Sequence, residues 1–567
     1  MSAQLTIHDL ERRELRLSQA RAWMRQDPDA ETRDELAVII TRAAGGDEDA
    51  LADLDDRFGS RLEFGTAGLR GALGAGSNRM NRVLIAQAAA GFAAYLQERS
   101  RGAIPTVVIG YDGRRNSHRF ALDSAELFTG AGLRTILLPR LLPTPVLAFA
   151  VRHLGADAGV MVTASHNPPN DNGYKVYLGG ADEGAQIVAP TDAEIAAHIQ
   201  RVADAGDITA LNRSVDYTVA GDEIVTAYAA ATAALAPAPA AARQLTWVYT
   251  AMHGVGWETF SQVLRAAGYP QPKTVSEQLN PDPSFHTVAF PNPEEPGAMD
   301  LAFATARRTN ADFILANDPD ADRLAVAIPD ASTQGGWRRL SGNEIGLLLG
   351  ARAARAAEGT AGAALACSLV SSPGLRAIAA HHGLDFHETL TGFKWISRGP
   401  GIVFGFEEAL GYLVNPETVR DKDGISSALA VLELAAQAHE RGATLATLLT
   451  ELGDTYGHFS SGQVSIRVDD LSIISDVMLS LRSLPPMRIG DIVVESVEDL
   501  LRAAPGQPSG DVLRYRLAGG ARVIVRPSGT EPKLKVYLDA QADSAADATA
   551  QVAAVEAGVR ELLSERS

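Results

Sequence analysis

"VMVTASHNPPNDNGYKVY", residues 160–177, joins a short apolar segment to a polar loop that begins with Ser165, His166 and Asn167. An apolar run of this length, followed by Pro, Asn, Asp and Gly, is typical of a buried strand that ends in a turn. Ligand sites of open parallel sheets lie outside the carboxyl ends of the strands. The stretch therefore predicts an α/β sheet with a functional loop at Ser165.

The same pattern recurs along the chain, where strand-like runs such as "TVVIGYD", "ADFILAND" and "GIVFGFEE" alternate with Ala-rich helical stretches. This alternation indicates α/β domains with mostly parallel sheets. The final hundred or so residues carry close-set alternating strands and a last helix, which indicates an α+β domain. A chain of 567 residues is too long for one core. We therefore expect an α/β fold class with three similar mixed α/β domains plus a C-terminal α+β domain, arranged around one central cleft. The predicted limits are 1–212, 213–332, 333–456 and 457–567.

Charge and hydropathy exclude several classes of partner. The formal net charge of -18 would repel nucleic acid and anionic membranes. No apolar run approaches the ~20 residues of a membrane span, and the N-terminus lacks the apolar core of a secretion signal. We expect a cytoplasmic protein with neither a nucleic-acid nor a membrane partner. The single cysteine, Cys367, lies in an apolar run and is expected to be a buried, inert thiol.

The stretch "FILANDPDADRLAV" carries Asp318, Asp320 and Asp322. Three crowded carboxylates repel one another unless a cation holds them, and oxygen ligands suit Mg²⁺, which phosphate oxygens and water usually complete. An EF-hand would need Gly and Glu at the sixth and twelfth positions, where this chain has Arg323 and Pro329. Two alternatives stay open: a phosphatase with Asp318 as nucleophile, and a solvated acidic turn.

Two further polar clusters follow strand-like runs. "VIVRPSGTEPKLKVY" places an arginine, hydroxyls and a glycine turn where they could grip a phosphate. It lacks the Walker pattern of an ATP site, and a purely structural turn is the alternative. The predicted phosphate-binding residues are Arg526, Ser528, Gly529 and Thr530. Glu407 and Glu408 could accept hydrogen bonds from sugar hydroxyls, or could simply be solvated.

Lysine is rare in this chain, which has six lysines among its 51 basic residues. An ammonium can lose a proton near neutral pH, whereas a guanidinium cannot. Five of the six lie beside Gly, Pro, Asp or aromatic clusters that predict loops. A position that keeps lysine can therefore be one that needs an ammonium group, and chance is the alternative.

Four motifs in chain order, "TASHNP", "DPDADR", "GFEEALGY" and "RPSGTEP", resemble the signature loops of the α-D-phosphohexomutases, the phosphoglucomutase/phosphomannomutase superfamily. The resemblance covers most of the chain. "EFGTAGLRG" near the start, and "DKDG" after the third motif, are similar to the branch with phosphoglucomutases and phosphopentomutases. Where many relatives have Ser after the glutamate of the third loop, this chain has Leu410.

The resemblance implies roles for individual residues. Ser165 would carry a phosphoryl group and, with Asp318, Asp320 and Asp322, would hold Mg²⁺. Catalytic positions would be Ser165, Arg70, His166, Lys175 and Lys394. We expect His166 to point away from Ser165 and to support the loop or a phosphate, not to deprotonate Ser165, because neighbouring side chains on an extended chain point apart. Lys175 matches a family lysine close to the phosphoserine, and Lys394 matches a third-domain lysine of substrate contact or proton transfer; burial of their stems against Tyr or Phe is the alternative. The substrate-binding set would be Arg323, Glu407, Glu408, Lys422, Arg526, Ser528, Gly529 and Thr530.

The implied function is a mutase that interconverts glucose 1-phosphate and glucose 6-phosphate through a phosphoserine and a bisphosphorylated sugar, with glucose 1,6-bisphosphate as activator. Phosphomannomutase or phosphopentomutase activity, a Mg²⁺-dependent sugar phosphatase and a noncatalytic sugar-phosphate sensor are the alternatives. The expected partners are small sugar phosphates, and the expected state is a monomer or a weak homodimer.

Overall fold

The computed structural model describes residues 7–65, 68–468, 471–503, 509–528, 533–564 and 566. The chain divides into two compact units. Unit 1 consists of Met1–Ala238, Thr246–Leu324 and Glu417–Leu429. Unit 2 consists of Pro239–Leu245, Ala325–Pro416 and Ala430–Ser567.

The first part of the chain alternates helices and strands. Its helices are α1 Ile7–Gln26, α2 Ala30–Ala44, α3 Glu48–Phe58, α4 Arg82–Arg99, α5 Ser117–Gly130, α6 Thr144–His153, α7 Thr191–Ala205, α8 Glu223–Leu235, α9 Gly256–Ala267 and α10 Asp300–Thr309. Its strands are β1 Leu69–Ala72, β2 Thr106–Tyr111, β3 Arg134–Leu137, β4 Ala158–Val162, β5 Asp171–Leu178, β6 Ala185–Gln186, β7 Thr218–Val219, β8 Trp247–Thr250, β9 Lys273–Thr274 and β10 Phe313–Asn317.

Twelve strands and seven α-helices follow among the described residues from Leu324 onward. The strands are β11 Leu324–Pro329, β12 Trp337–Arg339, β13 Ala364–Ser368, β14 Asp385–Thr389, β15 Ile402–Glu407, β16 Gly411–Leu413, β17 His458–Arg467, β18 Arg488–Ile489, β19 Ile492–Asp499, β20 Leu513–Leu517, β21 Arg522–Pro527 and β22 Lys533–Ala542. The helices are α11 Gly342–Ala357, α12 Gly374–His381, α13 Phe393–Ile396, α14 Gly424–Glu440, α15 Leu445–Tyr456, α16 Leu471–Ser483 and α17 Ala545–Ser564.

The sheets of unit 1 are parallel at their centres. The first has the strand order β1-β5-β4-β2-β3-β7, with β2 parallel to both β3 and β4 and with β5 antiparallel to β4 and β1. The second contains the parallel run β9-β8-β10. Every residue of β4 and β10 is buried, as expected for strands that helices cover on both faces. Both strands end directly before polar loops.

Unit 2 contains one further α/β sheet and one antiparallel sheet. Strands β14-β13-β15 are parallel, and β16 pairs with β15 in the antiparallel sense. The sheet β17-β22-β21-β20-β19-β18 is antiparallel at every pairing, and α17 packs against β17 and β22. The predicted combination of α/β sheets with a C-terminal α+β sheet is confirmed, whereas the four domain limits stay a prediction.

Although five of the six lysines adjoin clusters that predict loops, only Lys422 lies outside the helices and strands of the described residues. Lys175 lies in β5, and three turn formers that precede it, Asp171, Asn172 and Gly173, are part of the strand. A Cβ on Gly173 would lie 2.5 Å from the carbonyl oxygen of Thr163, so this glycine permits close strand contact and does not mark a turn. Asn172 is buried and donates to the carbonyl of Arg115 at 2.8 Å.

Over the described residues, no helix combines the length and the apolar character needed to cross a membrane.

Candidate active site

Ser165 follows β4 in a tight turn. Its φ of 52° lies in the left-handed region, which non-glycine residues rarely adopt and which is common at functional sites. The backbone N–H of Ser165 donates to the hydroxyl of Thr163 at 2.9 Å, which holds the turn. The side chain is buried, and its Oγ donates to Asp318 Oδ2 at 2.7 Å. The loop after β4 that carries Ser165 (the serine loop) and the loop after β10 that carries Asp318, Asp320 and Asp322 (the acidic loop) are therefore in direct contact.

The expectation that His166 points away from Ser165 rested on an extended chain, and that premise is wrong. Because Ser165 is left-handed, His166 Nδ1 comes within 3.4 Å of Ser165 Oγ and 3.9 Å of Asp318 Oδ2. Burial lowers the pKa of His166 well below its usual value, and the charges of Arg323 and Arg70 lower it further. The supporting role of His166 stays a prediction.

Asp318, Asp320 and Asp322 are fully buried directly after β10, so the alternative of a solvated acidic turn is wrong. One ligand oxygen from each lies within 4.8 Å of the others. Lys175 Nζ donates to Asp320 Oδ2 at 2.7 Å and to Asp322 Oδ2 at 2.8 Å. Within the described part of the chain, the Oδ1 atoms of Asp320 and Asp322 have no hydrogen-bond partner.

Unpartnered buried carboxylate oxygens are costly, and a cation would satisfy them. Mg²⁺ prefers oxygen ligands of this kind, so the three aspartates and the adjacent Ser165 Oγ fit the ion. Burial raises the pKa of Asp318 well above its usual value, and the charges of Asp320 and Asp322 raise it further. Burial also raises the pKa of Asp322, but the charges of Lys175, Lys422 and Arg323 outweigh burial and hold it below its usual value.

Basic groups surround the serine and the acids. Burial lowers the pKa of Lys175, but Asp320 and Asp322 outweigh this effect and raise it. Lys422 Nζ lies 3.3 Å from both Asp322 Oδ2 and Asp421 Oδ1. These groups supply local positive charge in a chain whose net charge is -18.

Two arginines predicted from the sequence reach the same loops. Arg70 Nη1 donates to Asn167 Oδ1 at 3.1 Å, and the backbone N–H of Arg323 donates to Asp318 Oδ1 at 3.0 Å. Unit 1 thus brings together all of the predicted site residues from its own part of the chain: Arg70, Ser165, His166, Lys175, Asp318, Asp320, Asp322, Arg323 and Lys422.

Sequence reasoning missed two residues that position the loops. Arg114 donates to the carbonyl oxygens of Ser165 and Asn167, each at 2.6 Å. Thr144 Oγ1 donates to Asp320 Oδ2 at 2.6 Å from the first residue of α6. Arg114 lies in the polar segment that follows β2, much as Ser165 lies in the polar segment after β4, whereas Thr144 follows the largely apolar stretch 138–143 and carries no such signal.

Glu408 belongs to the third of the four sequence motifs, which lies in unit 2. Its Oε2 accepts hydrogen bonds from the hydroxyls of Ser368 and Ser371, both at 3.1 Å. Glu407 is the last residue of β15 and is partly buried. Leu410 is fully buried at a φ of 62°, so the side chain that replaces the usual serine packs inside the unit.

The fourth motif joins β21 to β22. Burial raises the pKa of Tyr537, Glu408 raises it further, and Arg526 lowers it by charge and by a hydrogen bond. Glu408, Arg526 and Tyr537 therefore interact electrostatically within unit 2. The backbone N–H of Ser528 donates to the carbonyl of Lys533 at 2.8 Å, whereas Gly529 and Thr530 lie outside the described residues.

Lys394 is partly buried in α13.

Cys367 is buried in β13, and burial raises the pKa of its thiol.

Comparisons with known proteins agree over most of the chain. Family models match residues 61–205 (phosphoglucomutase/phosphomannomutase, alpha/beta/alpha domain I), 226–333 (domain II), 341–456 (domain III) and 489–557 (C-terminal domain).

Two relatives illustrate the sequence similarity. The chain is 53% identical to the "Probable phosphomannomutase" of Haemophilus influenzae, over 85% of this chain and 98% of the relative. It is 36% identical to the phosphopentomutase of Homo sapiens, over 92% of this chain and 91% of that protein.

A solved structure shares the fold. The phosphoglucomutase/phosphomannomutase family protein of Burkholderia thailandensis matches with a TM-score of 0.68 at 20% identity, over 89% of this chain and 98% of the other. The chain therefore belongs to the phosphoglucomutase/phosphomannomutase family of the α-D-phosphohexomutase superfamily, and it is an enzyme of the intramolecular phosphotransferase (isomerase) type.

Proposed function

We propose that the enzyme is a phosphosugar mutase in which Ser165 carries the phosphoryl group that is exchanged with the sugar. The observation that carries the proposal is the 2.7 Å hydrogen bond from Ser165 Oγ to Asp318, inside a cluster of three buried carboxylates. A serine at this position has a nucleophilic oxygen, a neighbouring acidic cluster and nearby basic groups, which are the components that phosphoryl transfer needs.

The proposed cycle has two transfers. A free hydroxyl of the sugar phosphate loses its proton and attacks the phosphorus of phosphoserine 165, the bond from phosphorus to Ser165 Oγ breaks, and Ser165 Oγ takes up a proton. The product is a sugar bisphosphate. After the bisphosphate turns over, Ser165 Oγ loses its proton and attacks the other phosphate, the bond from that phosphorus to the sugar oxygen breaks, and the sugar oxygen takes up a proton. The serine is phosphorylated again, and the sugar phosphate has been isomerised.

Individual residues are proposed to act as follows. Asp318, Asp320 and Asp322 would hold Mg²⁺, which supplies electrostatic stabilisation of the charge on the transferred group when it is bound. Lys175 orients Asp320 and Asp322 through its two hydrogen bonds. Arg114 fixes the carbonyls of the serine loop.

Further residues are proposed to bind the substrate. Glu408, held by two serine hydroxyls, would accept hydrogen bonds from sugar hydroxyls. The phosphate that is not being transferred would be bound by Arg526, Ser528, Gly529 and Thr530. Lys394 is proposed to contact the substrate or to transfer a proton, and Glu407, Arg323 and Lys422 are proposed substrate contacts.

For the substrate, we propose hexose 1- and 6-phosphates. The glucose pair is the expectation from the sequence motifs, and the 53% identical relative from Haemophilus influenzae favours the mannose pair. The human phosphopentomutase makes pentose phosphates the remaining alternative. A sugar 1,6-bisphosphate is the proposed activator, because it can phosphorylate an unmodified Ser165.

The test is an assay with Mg²⁺ and a trace of glucose 1,6-bisphosphate, in which glucose 1-phosphate, mannose 1-phosphate and ribose 1-phosphate are compared. A mutase produces the isomeric sugar phosphate without loss of phosphate, and the hexose with the larger kcat/KM identifies the substrate. Release of inorganic phosphate as the main product would favour a phosphatase that uses Asp318. Binding of sugar phosphate without any turnover would favour the noncatalytic sensor.

A further inference from the structure

A second cluster of ligand-type side chains lies in unit 1, outside the serine and acidic loops. It consists of His253, Asp282 and His286, each of which offers a ligand atom within 4.8 Å of the other two. The imidazole rings of the two histidines have centroids 4.6 Å apart. His286 Nδ1 lies 2.6 Å from Asp282 Oδ2. None of these residues contributes to the phosphoryl-transfer scheme above.

Two members of the cluster are held in place by residues outside it. His253 is buried, and its Nε2 lies 2.8 Å from the hydroxyl of Thr287. Asp282 Oδ1 accepts hydrogen bonds from the backbone N–H and the hydroxyl of Ser284, at 2.8 and 2.7 Å. Hydrogen bonds of this kind orient ligand side chains around a metal ion.

The backbone of the cluster is also unusual. Met252, His253 and Phe285 adopt φ values of 48°, 60° and 47°, although none of them is glycine. Such conformations persist only where the surrounding structure enforces them, and they are frequent at ligand sites. The two turns that carry these residues are in direct contact, because the backbone N–H of Asp282 donates to the carbonyl of His253 at 3.0 Å.

We propose that His253, Asp282 and His286 form a binding site for a borderline transition-metal ion, Zn²⁺, distinct from the acidic cluster at Asp318, Asp320 and Asp322. Two imidazoles and one carboxylate are a donor set that suits Zn²⁺, whereas the all-oxygen acidic cluster suits Mg²⁺. Three protein ligands leave a fourth position on Zn²⁺ for water.

The proposed zinc site is connected to both loops of the candidate active site. Gly254, the residue after His253, packs so closely on Pro319 that a Cβ would lie 2.3 Å from the Pro319 Cα. Phe285 lies under the guanidinium of Arg114, with the Arg114 Cζ 5.0 Å from the ring centroid, and Arg114 binds the serine loop. An ion at this site would therefore fix two turns that support Pro319 and Arg114.

The test is a titration of the full-length protein with ZnCl2 by isothermal calorimetry, in a buffer with excess MgCl2 that occupies the acidic cluster. His286→Ala and Asp282→Asn each remove one proposed ligand. The His286 side chain is 60% exposed, so its loss should leave the fold intact, and circular dichroism checks this. His118→Ala, at an exposed histidine of the same unit, is the matched control. Asp322→Asn is the control for the acidic cluster.

We expect the wild type, His118→Ala and Asp322→Asn to bind one Zn²⁺ per chain with the same Kd. His286→Ala and Asp282→Asn should weaken binding by at least about tenfold, and at the same Zn²⁺ concentration their Tm should rise by less than that of the wild type. The proposal is overturned if the wild type does not bind Zn²⁺, if folded His286→Ala binds it as tightly as the wild type, or if Asp322→Asn alone abolishes binding.

Discussion

At the scale of single residues, the site depends on buried charges that compensate one another. Lys175 is 5% exposed, and its ammonium group bonds to Asp320 and Asp322, which are fully buried. Removal of one partner from a buried ion pair leaves an uncompensated charge, which typically costs about 3–5 kcal/mol. A bound divalent cation would offset part of that cost, because it neutralises the same carboxylates.

We predict that Lys175→Met lowers the free energy of unfolding by about 3 kcal/mol in the presence of a chelator, and by clearly less with saturating Mg²⁺. Urea denaturation of both forms, followed by fluorescence, measures the difference. Lys273→Met, at an exposed lysine of β9, is the control and should change stability by less than about 0.5 kcal/mol. The prediction fails if Lys175→Met and Lys273→Met lose the same free energy of unfolding, or if Mg²⁺ does not reduce the loss in Lys175→Met. Either result would show that Lys175 and Mg²⁺ do not compensate the same carboxylates.

Ser165 and the three aspartates could be found from the sequence because each lies directly after an apolar strand within a compact motif. Arg114 and Thr144 could not be assigned in the same way, because their contacts with Ser165 and Asp320 join residues 51 and 176 positions apart. The orientation of His166 was also beyond the sequence. It depends on the left-handed φ of Ser165, which the surrounding fold imposes.

At the scale of elements, the turn before α9 contacts the acidic loop at Pro319 and so helps to determine where that loop lies. The backbone N–H of Val255, just before α9, donates to the carbonyl of Pro319 at 2.8 Å. Gly254 makes this approach possible, because a Cβ there would lie 2.3 Å from both the Cα and the carbonyl oxygen of Pro319. Backbone atoms cannot yield as a flexible side chain can, so a larger residue must displace the acidic loop.

We predict that Gly254→Ala reduces kcat by about 100-fold, the effect expected of a displacement of about 1 Å at a catalytic group. It should also destabilise the protein by about 1–3 kcal/mol through overpacking. Steady-state kinetics and thermal unfolding measure the two effects. Gly510→Ala is the control, because its Cβ would make an ordinary 3.6 Å contact with Leu390. If Gly254→Ala keeps the wild-type kcat, catalysis does not depend on the position of the acidic loop against Gly254, and the prediction is wrong.

The strands were predictable where apolar runs were unbroken, as in β4, β10 and β15. The start of β5 could not be predicted as a strand, because Asn172 and Gly173 usually occur in turns. Tertiary contacts override that preference here, since Asn172 finds buried partners and Gly173 fits against Thr163.

At the scale of the whole molecule, the chain consists of two compact units, and all three carboxylates of the acidic cluster belong to unit 1. Multidomain proteins commonly unfold in more than one step. A ligand that binds only the folded form stabilises the unit that binds it.

We therefore predict that differential scanning calorimetry resolves more than one transition, and that Mg²⁺ raises the Tm of the transition of unit 1 by a few degrees. A Mg²⁺ concentration of about 100 times the Kd raises the free energy of unfolding by about 2.7 kcal/mol. Asp322→Asn should abolish the shift. A uniform shift of every transition, or a shift that persists in Asp322→Asn, would contradict a Mg²⁺ site at the acidic cluster.

The central claim is that Ser165 carries the phosphoryl group, and its most direct test is mass spectrometry of the protein after incubation with glucose 1,6-bisphosphate and Mg²⁺. We predict that the intact mass increases by one phosphoryl group, that peptide mapping places this group on Ser165, and that Ser165→Ala acquires no phosphoryl group and has no mutase activity. A phosphoryl group on Asp318 or another residue, or full mutase activity in Ser165→Ala, would contradict the account.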